Sequence, residues 1–255
     1  DTDGRTITLD GSENMQPDYV AVKNRGQTDN WHVWDAVRGH TKAIQWSTTN
    51  TDTTLATPSS GYINGFTSDG FTITSGSGSD HNVNEGSETY VAYCWKANGA
   101  GSSNSVGDLT ATTSANTTSG FSIVEATSDS AADKTIGHGL GTVPDAIFSK
   151  NLDSGYNWDV YFKILGYNAS LIQNTNAVPR TGAWGSSTFT TTLFQTKDNY
   201  SSNNGDEYIY YVFSDRQGFS KTFSYEGNGN ADGTFVYLGF RPAFVMVKPI
   251  DAVDN

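Results

Sequence analysis

Apolar residues in this chain come in short clusters separated by polar, turn-forming stretches. Val20-Ala21-Val22, Phe71-Thr72-Ile73, Phe121-Ser122-Ile123-Val124, the Thr-rich run from Phe189 to Phe194, and Phe235-Val236-Tyr237 are each bounded by Gly, Asn, Asp or Pro. Short β-prone runs with such borders read as strands. The pairs Asn64-Gly65, Asn204-Gly205 and Asn228-Gly229 suit tight hairpin turns, because both residues tolerate positive φ. No window of a dozen residues repeats its apolar positions every 3.6 residues, so no amphipathic helix is expected. The pattern predicts an all-β chain of tandem antiparallel β-sandwich, jelly-roll-like domains.

One pattern recurs. Pro17-Asp18-Tyr19-Val20-Ala21-Val22-Lys23, Pro144-Asp145-Ala146-Ile147-Phe148-Ser149-Lys150 and Pro242-Ala243-Phe244-Val245-Met246-Val247-Lys248 share a Pro, an apolar run and a Lys at one spacing. The first two copies agree further on. Trp31 and Trp158 follow Pro by fourteen residues, Trp34 and Tyr161 by seventeen, Gly39 and Gly166 by twenty-two. A later strand repeats as well: Tyr90-Val91-Ala92-Tyr93-Cys94-Trp95 matches Tyr208-Ile209-Tyr210-Tyr211-Val212-Phe213. Gly120-Phe121-Ser122 and Gly218-Phe219-Ser220 each precede their Pro by twenty-four residues. Pro belongs at the start of a strand because it cannot donate to a ladder. The strand after Pro17 then turns Tyr19, Ala21 and Lys23 to one face and Val20, Val22 and Asn24 to the other.

Four segments follow. Residues 1–97 form a sandwich unit lacking its opening strand, 98–117 a Gly/Ser/Thr-rich linker or long loop, 118–217 a complete unit, and 218–255 the start of a third. Partial units at both ends make Asp1 and Asn255 look like cuts in a longer chain.

Composition narrows the function. At 255 residues the chain has room for two domains or one large one, and only 16% of it is charged. Its net charge of −12 argues against nucleic acid and anionic membrane surfaces, which attract clustered Lys and Arg. No run of 18 or more apolar residues is present, so no membrane insertion is expected. The lone Cys94 cannot form an intrachain disulfide and reads as a small core hydrophobe.

Chemistry-bearing motifs are scarce, and no catalytic, cofactor-binding or metal-ligating residue is assigned. The sequence lacks a Gly-x-Ser-x-Gly elbow, a His-Glu-x-x-His helix and a phosphate loop. Gly137-His138-Gly139-Leu140-Gly141 reads as a turn into the Pro144 strand, with His138 exposed. His32, His40, His81 and His138 are scattered, with no ligand spacing. The acid pairs Asp153 with Asp159 and Glu85 with Glu88 do not recur between units, which argues against a glycosidase. No cofactor is expected, although the loops Asp1–Asp10, Asp198–Glu207 and Asp251–Asp254 offer the oxygens that structural calcium takes. Five aromatics, Trp31, Trp34, Trp158, Tyr161 and Trp184, are the candidates for stacking on sugar rings.

The string Gly-Phe-Ser, Ile-Gly-His-Gly-Leu-Gly, Pro-Asp, strand, Lys, Trp and Tyr-Val-Ala-Tyr-Cys-Trp resembles an uncharacterised repeat domain. That domain occurs in tail-fibre-like and other virion appendage proteins of marine, cyanophage-type tailed phages. Gly120 to Lys150 and Tyr90 to Lys96 carry the resemblance best. The third copy departs, with Val236-Tyr237-Leu238-Gly239-Phe240 in place of the glycine-rich turn. The resemblance implies a structural or adhesive virion role and transfers no catalytic residue.

The leading expectation is therefore a non-enzymatic structural component of a phage virion appendage: tail fibre, spike or capsid fibre. It would contact copies of itself, in a trimer or another homo-oligomer, and other virion proteins. Its location would be the virion or the extracellular space. The alternatives are a carbohydrate-binding module for bacterial surface glycans, such as a host's, and a bacterial secreted filament or adhesin subunit.

Overall fold

The computed structural model describes residues 4–54, 61–76, 83–129, 132–185 and 189–251. Asp1, His81 and Asn255 lie outside these residues, as do parts of the loops at 1–10 and 251–254. The chain is all-β: there is no α-helix among the described residues, and one 3-10 turn spans Lys163–Leu165.

Unit one contributes β1 (Arg5–Thr8), β2 (Tyr19–Asn24), β3 (His32–Asp35), β4 (Gly39–Gln45), β5 (Thr53–Thr54), β6 (Tyr62–Thr67), β7 (Gly70–Thr74) and β8 (Tyr90–Trp95). Next come β9 (Ser102–Asn104), β10 (Ala111–Asn116), β11 (Phe121–Thr127) and β12 (Thr135–Gly137). Unit two continues with β13 (Ala146–Asn151), β14 (Asp159–Phe162), β15 (Ala169–Ile172), β16 (Arg180–Thr181), β17 (Leu193–Gln195) and β18 (Glu207–Phe213).

The repeat read from the sequence is a repeat of topology. One sheet has the order β5-β4-β3-β2-β8, and the larger one opens with the matching order β16-β15-β14-β13-β18. The larger sheet then continues through β11, β10 and β9. Each sheet has a small antiparallel cover, β1-β7-β6 or β12-β17. The covers match too: Ile7 pairs with Phe71 in one, and Ile136 with Phe194 in the other.

Alternation along β2 distributes these layers. Val20 and Val22 face outward into a core with Trp34, Ile63, Phe71 and Ile73. Tyr19 and Ala21 face inward into a core shared with Phe121, Ile123, Trp158, Ile209 and Tyr211 of unit two. A third core, with Ile147, Tyr161, Tyr210 and Val212, lies beneath the second cover. Two sheets thus share one inner core, as sandwich faces do.

Some sequence expectations change. The segment 98–117 is not a linker: it supplies β9 and β10, which pair with each other, and β10 pairs with β11. Its strand character escapes notice because its buried side chains are small. Ala111, Thr113 and Ser114 are buried, and the Ser114 hydroxyl accepts the Asn98 N–H and donates to the Gly99 carbonyl. The Thr-rich run forms a strand only at Leu193–Gln195. Asn64-Gly65 is not a hairpin turn but lies inside β6, where the register with β7 shifts. Residues 218–251 form no strand, and Phe235 and Tyr237 are 84% and 80% exposed. A strand needs a partner for its main chain, and among the described residues the one bridge to this segment is Arg216 with Ser220.

Candidate functional site

The repeated Pro-Asp…Lys-Asn strand is the most regular polar arrangement in the molecule. Asp18 Oδ2 accepts the Ala97 N–H at 2.8 Å, and Asp145 Oδ2 accepts the equivalent Asp215 N–H at 2.8 Å. Both donors sit two residues beyond the end of the matched aromatic strand, so the aspartate ties β2 to the end of β8 and β13 to the end of β18. At the other end of the strand, Asn24 Oδ1 accepts the N–H groups of Gly26 and Gln27, and Asn151 Oδ1 those of Asp153 and Ser154. Such side-chain acceptors close turns. Lys23 Nζ donates to the carbonyls of Asn24 and Gln27. Lys150 Nζ donates to those of Asn151, Tyr156 and Thr49. Burial pulls the Lys150 amine down to about 8. The motif is a frame that fixes both ends of one strand.

The five stacking candidates are not brought together on a surface. Trp34, Trp158, Tyr161 and Trp184 are buried in three different cores. Trp158 donates its indole N–H to the Gln45 carbonyl across the seam between the units, at 2.9 Å. A ring buried on both faces has none left for a sugar. Trp31 alone is partly exposed, and it is stacked on Tyr93 at 5.4 Å and lies 5.6 Å from Trp46. Sequence alternation cannot tell a core tryptophan from a platform, since both sit in apolar strands.

The seam carries a charge network that sequence reasoning missed. Arg38 and Asp35 have fully buried side chains joined at 2.6 Å. Arg38 Nη1 reaches Asp52 at 3.1 Å, and Nη2 donates to the Val33 carbonyl and lies 3.4 Å from the Tyr211 hydroxyl. Tyr211 in turn donates to Asp35 Oδ2 at 2.7 Å, which links unit two to unit one. Burial, with Asp35 beside it, raises the Tyr211 hydroxyl far above its usual range. Nearby, Glu125 is raised to about 7, first by burial and then by Glu207 and Asp35, against the opposing pull of Arg38 and Lys42. Unit two has Phe162 where unit one has Asp35. A charge at a position that is apolar in the sister copy is the signal that would have found this network.

His138 is not exposed but wholly buried. Its Nδ1 accepts the Leu140 N–H, so Nε2 carries the proton and donates to the Thr190 carbonyl. Burial lowers its pKa from 6.5. The stabilisation from the neutral ring is present above about 6.5 and is lost as pH falls through the lower folded value. Cys94 is half-buried, and burial pushes its thiol up to about 12, which leaves little thiolate.

The carboxylates named from sequence are engaged separately. Asp159 pairs with Arg180 and accepts the Ser170 hydroxyl, Asp153 accepts the Glu207 N–H, and Glu88 accepts from Gln27. In the 198–207 loop, Asp206 accepts from Asn151 and Asn203, and Asp198 from Asn199. No group of three His, Cys, Asp or Glu side chains converges as a metal site among the described residues. No helix there is long and apolar enough to cross a membrane, which says nothing of β-barrels.

A cavity of about 400 Å³ lies between the first cover and β8, lined by Val22, Phe71, Glu85, Glu88 and Tyr90 among others. Beside it runs β8, whose residues are all partly or well exposed, whereas Tyr208 to Val212 of the equivalent β18 are buried. The difference follows from the neighbours: β18 lies between β13 and β11, and β8 has β2 alone as a strand partner among the described residues.

Fold and site together define an all-β protein of repeated sandwich units, whose conserved-in-copy polar groups hold the strands themselves. A family model described as a domain of unknown function, DUF7483, matches residues 2–255, and the chain belongs to that family. No curated protein and no solved structure matches it.

Proposed function

We propose that this chain is a non-enzymatic structural segment of a phage virion appendage, a tail fibre, spike or capsid fibre, and contributes to host attachment. The observation that carries the reading is repetition. One sandwich design occurs twice with the same strand order, and its signature opens a third time at Gly218. Repeated units bury their apolar faces against neighbouring units, as the two copies do here around one inner core. The repeated polar residues support a structural role, because each is committed to main-chain groups of its own frame. The sequence resemblance to tail-fibre-like repeat domains supplies the viral setting and the extracellular location.

Mass spectrometry of purified virions from the source phage tests this. The expected result is peptides from both units at a fixed copy number per particle. Particles free of the chain, with the protein found as a soluble catalyst in infected cells, would overturn the reading.

A further inference from the structure

The two copies of the aromatic strand differ in one neighbour, and the chain itself carries a candidate for the missing one. β11 pairs with β18 antiparallel, Phe121 opposite Phe213 and Ile123 opposite Tyr211. It begins with the Gly-Phe-Ser opener, and the same opener recurs at Gly218-Phe219-Ser220, followed by Lys221-Thr222-Phe223-Ser224-Tyr225. Phe121 is fully buried in β11, whereas Phe219 is 54% exposed. Among the described residues, 218–251 hold eight of the fourteen exposed large hydrophobics, counted as Phe219, Tyr225, Phe235, Tyr237, Val245, Met246, Val247 and Ile250. Apolar groups concentrated in this way mark an interaction surface.

We propose that the outer edge of β8 is a strand acceptor, and that its occupant is the Phe219–Tyr225 segment of a second copy of this chain. The proposal rests on the reading that the chain assembles with its own copies. Alternate residues of an antiparallel strand address alternate neighbours. Ser214 N–H bonds the Gly120 carbonyl, which puts the even-numbered residues of β18 toward β11. Carried to β8, this turns the main-chain groups of Ala92 and Cys94 outward, while Trp95 accepts the Asp18 N–H on the β2 side. Within one chain the opener is tied to the end of its own β18. Arg216 and Ser220 exchange main-chain bonds, and Thr222 N–H reaches Asp215. These ties hold the opener on unit two, while further along the same segment Phe244 meets Tyr93 and Trp95 of β8 edge-on. Docking in the β11 register exchanges those bonds for a ladder on β8, the usual mode of strand addition. Donor and acceptor are different surfaces, so the contact is heterologous and propagates copy to copy.

Sedimentation velocity across a concentration series tests the proposal on the full chain. Wild type is expected to form oligomers that grow with concentration. Ala92→Pro, which removes one outward N–H, and the double variant Phe219→Asp with Phe223→Asp, which spoils the donor, are each expected to be monomeric. Mixed together they should give a one-to-one heterodimer, since one retains the donor and the other the acceptor. Amide exchange at Ala92 and Cys94 in wild type should slow as concentration rises, a readout that does not depend on Ala92→Pro folding. Oligomers undiminished by both variants would overturn the β8 edge while leaving self-assembly standing. A wild type monomeric at every concentration would overturn both this inference and the self-assembly on which it rests.

Discussion

Glu125 shows how a single side chain reports the seam between the units. Its carboxyl has an ordinary value of 4.5 and is raised to about 7 in the folded chain, with burial the first cause. Between those values the folded state holds a proton that the unfolded state releases. The group's contribution to stability is therefore complete below about 4.5 and is lost as pH rises through about 7. Glu125→Gln keeps the neutral shape at every pH. We expect its melting temperature to match wild type near pH 4 and to exceed it at pH 8, with about 2–4 °C for each kcal/mol recovered in a chain of this size. Equal differences at both pH values in a calorimetric scan would contradict the assignment. At this scale the sequence was least informative. Trp31 and Trp158 share an offset from Pro, yet one is part-exposed on Tyr93 and the other is buried against Gln45. The difference arises from the partner sheet that covers Trp158, which no local pattern encodes.

At the scale of the strand, the repeat was legible because it is written in residues that each close one bond. Asp at +1 takes the N–H beyond the aromatic strand, Lys at +6 takes turn carbonyls, and Asn at +7 closes the turn. The same offsets in two copies predicted the same topology, and the strand orders agree. What stayed hidden were the strands at Ser102–Asn104, which buries no side chain fully, and Ala111–Asn116, whose buried positions are Ala, Thr and Ser. A composition of small polar residues reads as a loop until its neighbours bury it. The second cover was also obscure, because β12 and β17 are three residues each. The frame reading makes a paired prediction. Asp18→Ala and Asp145→Ala each leave a main-chain N–H without its acceptor and should each cost about 1–3 kcal/mol. In the third copy Ala243 stands where the others have Asp; it is exposed, and the segment around it forms no strand. Ala243→Asp should therefore leave the denaturation midpoint of the monomeric chain unchanged. Urea titrations of the three variants check this, and a loss at Ala243→Asp equal to the other two would show that the third copy is framed as well.

At the scale of the whole molecule, the inner core decides how the two units behave. Tyr19, Ala21, Val33 and Ile44 of unit one pack in the same cluster as Phe121, Trp158, Ile209 and Tyr211 of unit two. Tyr19 and Tyr211 meet edge-on, with ring centroids 4.8 Å apart. The buried Arg38–Asp35–Tyr211 network crosses the same plane. Neither sheet can open without exposing the inner face of the other, so the units should melt as one. Calorimetry is expected to give a single transition whose van't Hoff and calorimetric enthalpies agree. Two resolved transitions would mean that each unit is held by its own cover rather than by the shared core. The network itself sharpens the test. Removing Arg38 alone, as Arg38→Met, leaves Asp35 buried without its cation and should cost about 3–5 kcal/mol. Adding Asp35→Leu removes that stranded charge, and replacing a whole buried pair by apolar groups of similar volume is often neutral or better. The double variant should therefore recover most of the loss and keep a single transition. If it recovers nothing, the cost lies in the Val33 carbonyl, the Tyr211 hydroxyl and the Asp52 carboxylate, which Arg38 also reaches. In that case the arginine, not the ion pair, is what joins the units.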